Sequence, residues 1–476
     1  MSVNLAEKYE PHDFIDEQKI WALLDANRQL PADTIRGIIE HARQAQGLDL
    51  WEVAALIQTD DPELLAEMFA VAADIKERIY GKRMVFFAPL YISNYCVNEC
   101  LYCGYHKSNA DMCRKQLTPQ EIEDEVRALQ EMGHKRIALE VGEDPKNCPI
   151  EYVTDAMRTI YGVQEKNGNI RRINVNIAAT TVNNYRKLKE AGIGTYILFQ
   201  ETYHHETYQK MHPGGPKSDY RWHLTAMDRA MLGGIDDVGI GVLFGLYDHR
   251  FELLATMMHK DHLEATFGVG PHTISVPRLR PAEGVSLENF PHLVSDDAFR
   301  KIIAIIRLAV PYTGMILSTR ERPGYRDSLF KLGISQISAG SCTGVGGYRL
   351  EAEGHCEEAE NTAQFIVEDH RGPNEMIRNL CGSGYLPSYC TACYRSGRTG
   401  DRFMSLAKKG QIANVCQPNA IMTFKEYLID YADPETREVG EKAIQEHLTQ
   451  ITSDKIRHLT EQRLRDIEAG KRDLYF

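Results

Sequence analysis

No stretch of this sequence carries the ~18 consecutive apolar residues that a membrane-spanning helix needs, and Met1 to Asp13 lack the basic start and apolar core of a secretory signal. An excess of positive charge is missing too. Lys and Arg number 55 against 67 Asp and Glu, a formal net charge of −12, which argues against nucleic acid, because phosphate binding calls for clustered Lys and Arg. With 43% hydrophobic residues and a mean hydropathy of −0.38, the composition is that of a soluble, non-membrane protein, and the expected compartment is the cytoplasm. A disulfide framework is not expected there either. The 11 cysteines read as metal ligands plus buried thiols.

What the cysteines lack is as informative as their number. Cys96-Val-Asn-Glu-Cys100-Leu-Tyr-Cys103 packs three thiols into one loop after the apolar run Met84 to Ile92. Thiolates suit iron–sulfur clusters, which normally take one Cys per iron, so a trio leaves one iron of a 4Fe–4S cluster open to a non-protein ligand. A second incomplete trio lies far downstream, as Cys390-Thr-Ala-Cys393 and then Cys416. The intervening Tyr394-Arg-Ser-Gly-Arg-Thr-Gly-Asp-Arg-Phe is rich in Arg and Gly, which suits an anionic cluster or its ligand. Zinc is the alternative at both places, completed at the second by Cys381, since structural zinc sites usually take four protein ligands. Cys113, Cys148, Cys342, Cys356 and Cys381 lack paired spacing and read as buried or incidental thiols.

The periodicity divides the chain into a helical extension (1–83), a strand and helix region (84–375) and a C-terminal extension (376–476). Helical spacing is clearest from Pro62 to Tyr80, with Gly81 as a stop. Strands are expected near 84–92, 136–141, 172–178, 195–200, 238–244, 272–277, 313–319 and 335–340. Between the first two, Thr118-Pro119-Gln120-Glu121 forms a capping box that opens a helix. Eight such units close a (β/α)8 TIM-type barrel, and a doubly wound open sheet is the alternative. Beyond Gly382 the rhythm of strand and helix is expected to end.

In such barrels the chemistry sits on loops after the strands, where the first trio falls. Other candidates share that position: Gly142 and Glu143 after strand two, which also read as a solvated acidic turn, and Glu201 after strand four, with Arg221 in the helix that follows. Arg320 after strand seven could clamp a substrate carboxylate or be neutralised by the adjacent Glu321. His272, at the start of strand six, falls at the opposite mouth.

The first trio, with Tyr102 before its third Cys, resembles the signature of the radical S-adenosylmethionine (SAM) superfamily. That resemblance implies that SAM chelates the open iron and is cleaved to a 5′-deoxyadenosyl radical. It further implies that Gly142 and Glu143 contact the SAM amino group, that Glu201 and Arg221 contact its amino acid moiety, and that Gly239 and Gly241 let the flat adenine approach the backbone.

With the second trio in a tail, nearly the whole chain resembles the HydG family, the radical SAM tyrosine lyases of FeFe-hydrogenase maturation. The resemblance implies cleavage of L-tyrosine to p-cresol and a dehydroglycine fragment, which yields carbon monoxide and cyanide at an auxiliary 4Fe–4S cluster on Cys390, Cys393 and Cys416. These are gathered on an additional iron as an Fe(CO)2(CN) unit. Free cysteine would bridge that iron, His272 would support it, and Arg320 would hold the tyrosine carboxylate. An electron donor such as ferredoxin or flavodoxin and other hydrogenase maturation proteins are the implied partners. The alternatives are a 2-iminoacetate synthase of thiamine biosynthesis and an iron–sulfur scaffold without turnover. Two separated sites also call for an internal passage.

Overall fold

Four helices lead the chain in the computed structural model, which describes residues 9–282, 284–408 and 412–476. They are α1 (Glu17–Ala26), α2 (Ala32–Arg43), α3 (Leu50–Ile57) and α4 (Pro62–Tyr80). Each start is written locally. Asp16 Oδ1 accepts the Lys19 amide, Asp49 and Glu52 form a capping box, and Asp61 caps α4 ahead of Pro62. The apolar stripe Leu64, Met68, Val71, Ala72, Ile75 and Ile79 of α4 is buried and packs on the helix Asp296–Ala309.

Eight parallel strands follow: β1 (Arg83–Ser93), β2 (Arg136–Val141), β3 (Arg172–Asn176), β4 (Tyr196–Ile197), β5 (Val238–Gly241), β6 (Thr273–Ser275), β7 (Gly314–Leu317) and β8 (Gln336–Ser338). Each pairs in parallel with the next. The closing pair decides the architecture. β8 lies against β1 with Val85 opposite Gln336 and Phe87 opposite Ser338, so the sheet is a (β/α)8 barrel and not an open doubly wound sheet. The expected capping box is present: Thr118 Oγ1 accepts the Glu121 amide at 3.3 Å, and Glu121 Oε2 accepts the Thr118 amide at 2.8 Å.

The rhythm does not stop at Gly382. After the helix Pro373–Gly382, β9 (Leu386–Ser388) adds in parallel to the foot of β1, with Leu386 opposite Arg83 and Ser388 opposite Val85. Three long helices, Ala413–Asp430, Pro434–Thr449 and Asp454–Glu468, complete the chain. No described helix is long and apolar enough to cross a membrane.

Candidate active site and second metal centre

β1 delivers the first trio to the upper mouth, and polar side chains fix the loop that follows. Asn94 accepts the Lys115 amide at 2.7 Å and donates to Cys113 O at 2.8 Å. Arg114 donates to the carbonyls of Asn94, Tyr105 and His106. Cys96, Cys100 and Cys103 then line one cavity of about 140 Å³ together with Tyr102, Gly142, Glu143, Glu201 and Arg320. Donors already face the sulfurs: the Tyr105 amide at 3.4 Å and Gln364 Nε2 at 3.8 Å reach Cys103 Sγ, and Asn98 Nδ2 lies 3.7 Å from Cys96 Sγ. Burial pushes the Cys103 thiol up to about 11 and Cys100 higher still. A metal binding there displaces protons that burial favours keeping. A buried Cys100 and half-buried Cys96 and Cys103, with amide donors at two of the sulfurs, fit a thiolate-held cluster.

The acids of this mouth are oriented with equal care. Glu201 has φ 68°, a left-handed backbone uncommon for a side-chain-bearing residue, and its Oε1 accepts from Lys217 Nζ at 2.8 Å. Burial opposes charge on Lys217, but Glu201 and the neighbouring thiols outweigh it and raise its pKa. Asn98 joins these parts, donating to Glu143 Oε2 at 2.6 Å and accepting the Lys217 amide at 2.9 Å. Gly142 admits no side chain, because a Cβ would lie 2.3 Å from Tyr95 O. Tyr102 Oη lies 2.8 Å from His212 Nε2, and burial holds His212 neutral, down to about 3, so the phenol donates to it.

Arg320 is not neutralised by its neighbour in sequence. Glu321 takes hydrogen bonds from Arg278 and Arg280, while the Arg320 guanidinium lies over the Phe365 ring, 3.4 Å from its centroid, and forms no ion pair among the described residues. Across the cavity, burial raises Glu140 to about 8 against the opposing pull of Arg320 and Asn176. Tyr91, Glu140, Asn176, Phe199 and Arg320 also line an inner chamber of about 100 Å³ further down the barrel.

Three sequence candidates sit elsewhere. Arg221 is exposed and does not line the cavity. Gly239 and Gly241 lie in the barrel wall, where a Cβ would meet Thr273 Oγ1 at 2.5 Å and Phe199 Cδ1 at 2.7 Å respectively. Their bare backbone makes room for those side chains. Sequence reasoning missed Lys217 and Glu140. The Gly214-Gly215-Pro216-Lys217 turn gives no hint of a target, whereas Glu140 inside the apolar run Ile137-Ala-Leu-Glu-Val is a signal that could have been read.

The opposite mouth gathers the second trio. β9 ends two residues before Cys390, and Cys390, Cys393 and Cys416 line a cavity with His272, Arg83, Arg136 and Tyr394. Tyr394 Oη lies 2.8 Å from His272 Nε2. Burial lowers His272 to about 4, so its imidazole is neutral. A hydrogen bond between Cys393 and Cys416 lowers the Cys416 thiol, and Arg83 and Arg398 add to this against burial. Arg83 Nε and Nη2, Arg136 Nε and Arg398 Nε are buried without hydrogen-bond partners among the described residues, and His272 Nδ1 faces Asp237 Oδ1 at 3.4 Å. Unsatisfied cationic donors around three sulfurs fit an anionic cluster better than a neutral thiol cluster. Cys381, on the helix Pro373–Gly382, does not line the cavity, so the four-cysteine zinc arrangement is not formed.

Residues 90–258 match the Radical SAM superfamily and residues 275–386 the Biotin and Thiamin Synthesis associated domain. With the closed barrel and the trio after β1, this makes the chain a radical SAM enzyme. A crystal structure of HydG, a maturase of the FeFe-hydrogenase, is 60% identical and superposes with a TM-score of 0.94 over 98% of this chain and 100% of that one. HydG from Carboxydothermus hydrogenoformans is 41% identical, with a TM-score of 0.82 over 94% and 97%. The 2-iminoacetate synthase of Escherichia coli (strain K12) is 32% identical over 76% of this chain and 94% of its own length. The chain belongs to the HydG family.

Proposed function

We propose that the protein is a radical SAM lyase that cleaves L-tyrosine to p-cresol and a dehydroglycine fragment, and converts that fragment to carbon monoxide and cyanide for an Fe(CO)2(CN) precursor in FeFe-hydrogenase maturation. The observation that carries it is the second thiol trio, held with His272 at the barrel mouth opposite the first. The 2-iminoacetate synthase leaves about a quarter of this chain unmatched.

When bound, a cluster on Cys96, Cys100 and Cys103 supplies the electron for SAM cleavage, and one on Cys390, Cys393 and Cys416 an open iron for ligand assembly. The protein's own groups do the rest. Glu143 and Glu201 face the SAM ammonium, Gly142 and Tyr102 shape its seat, and Arg320 binds the tyrosine carboxylate by its fork of donors. Gly239 and Gly241 act from the barrel wall, and Arg221 from the exposed side of the helix Tyr220–Leu224. Burial of the mouth excludes water, which protects a radical from quenching. At the lower mouth His272 would help to hold an additional iron, with free cysteine as a further ligand. An electron donor such as ferredoxin or flavodoxin and other maturation proteins are the partners, in the cytoplasm. Residues 1–83, 84–375 and 376–476 serve as helical extension, radical SAM barrel and auxiliary-cluster extension.

A Cys393→Ala variant, reconstituted anaerobically with iron and sulfide, is expected to form p-cresol from SAM and tyrosine and no carbon monoxide. Undiminished carbon monoxide from that variant overturns the division of labour between the two trios.

A further inference from the structure

On the outside of the barrel, away from both thiol trios, the N-terminal arm ahead of α1 meets two helices through a knot of imidazoles. Asp228, on the helix Ala226–Leu232, is fully buried. Its Oδ2 lies 2.8 Å from His262 Nε2 on the helix His249–Phe267 and accepts from Tyr9 Oη at 2.5 Å. Its Oδ1 has no partner among the described residues. His12, on the arm, brings a second imidazole, and the ligand atoms of His12, Asp228 and His262 all lie within 4.8 Å of one another.

The imidazoles are held by ring packing, His262 with its Nε2 turned to Asp228 and His12 with its Nδ1 3.4 Å from Glu10 O. Phe14 stacks on His262 with centroids 3.8 Å apart and planes 5° from parallel, and the His12 ring stands 5.4 Å from His262. The next cation, Arg229, does not neutralise Asp228, because it donates to Thr180 O, Thr225 Oγ1 and Trp222 O. A buried carboxylate oxygen without a donor is costly. One turn before His262, on the helix His249–Phe267, His259 Nε2 is also buried and has no hydrogen-bond partner among the described residues.

We propose that His12, Asp228 and His262 form a binding site for one divalent cation of the zinc class, which pins the N-terminal arm to the barrel. Two imidazole nitrogens and one carboxylate oxygen are a donor set that zinc accepts, with water in the fourth position. Bonds of ~2.0–2.1 Å in a tetrahedron put neighbouring donors about 3.3 Å apart. His262 Nε2 and Asp228 Oδ2, at 2.8 Å, need to part by only a fraction of an ångström. The site is independent of the tyrosine lyase reading, since none of its residues faces either cysteine cavity.

The test uses the full-length, cluster-loaded protein. One equivalent of zinc is added, the protein is desalted, and metal per chain is counted by mass spectrometry while X-ray absorption at the zinc edge reports the donor atoms. One retained zinc with a nitrogen and oxygen shell is expected. His12→Ala and His262→Gln should each weaken retention at least about 100-fold, leave the iron content unchanged, and abolish zinc protection of the arm against limited proteolysis. His12 is exposed, so its variant folds even where the His262 change destabilises. Zinc retained equally by His12→Ala, a sulfur-dominated shell, or no retention by the parent protein each overturns the proposal.

Discussion

Tyr394 and His272 stand 2.8 Å apart, Oη to Nε2, and so tie the loop after Cys393 to the foot of β6. The contact leaves His272 Nδ1 buried, 3.4 Å from Asp237 Oδ1, on an imidazole that burial keeps neutral. His272→Ala is expected to preserve p-cresol formation, to lower carbon monoxide output about 10–100-fold, and to lose one iron per chain. Iron analysis and gas capture on one preparation check this, and full carbon monoxide output would reduce His272 to a packing partner of Tyr394.

Lys217 places a fixed cation beside Glu201 and the first thiol trio. A positive charge there stabilises the added electron of a reduced cluster. Lys217→Ala should therefore lower the midpoint potential of that cluster and slow SAM cleavage, with Lys217→Arg restoring much of both. A redox titration that gives the same potential for parent and Ala variant excludes this role.

Glu140 predicts a pH dependence whose sign follows from its environment. Burial raises it to about 8, so it is neutral below that value and acquires a charge near Arg320 above it. An ionised Glu140 competes with the tyrosine carboxylate for the guanidinium. KM for tyrosine should rise several-fold from about pH 6.5 to about pH 8.5 in the parent and stay flat in Glu140→Gln. In the same window the unfolded chain binds fewer protons at this residue than the folded one does. Its contribution to stability therefore falls as pH rises from the ordinary carboxylate range, ~4.3, towards 8. A KM profile unchanged by Glu140→Gln counts against the assignment.

The ion pair between Arg326 and Asp369, 2.8 Å long and inaccessible on both sides, fastens the segment after β8 to the helix Pro323–Leu329. Asp369→Ala leaves Arg326 buried and uncompensated at one nitrogen, a loss of about 3–5 kcal/mol. Thermal unfolding of the cluster-loaded protein should shift down by several degrees. An unchanged midpoint would mean that the bonds of Arg326 to Leu317 O and Ser338 O hold it without the carboxylate.

Local rules made much of the barrel legible. The Thr118 capping box, the Asp61-Pro62 helix start and the eight apolar strand runs are all features of short range. Closure was not local: nothing in Val85 or Gln336 announces the other, and the expectation rested on counting units. β9 was missed because a three-residue strand with Pro387 at its centre carries no alternation and the wrong residue. The cysteine spacing exposed both trios. The charges around them were harder to read, because partners are chosen in space. Glu321 follows Arg320 in sequence yet pairs with Arg278 and Arg280, and Lys217 finds Glu201 only through a turn held by Asn98.

Because β1 receives β9 at its foot and releases the first cysteine loop at its head, a single 11-residue strand gauges the journey between the two metal centres, roughly 33 Å at 3.3 Å per residue. Adding or deleting one residue in it would turn every later side chain to the opposite face. Natural variation should therefore alter the identities of its residues freely before it alters their number.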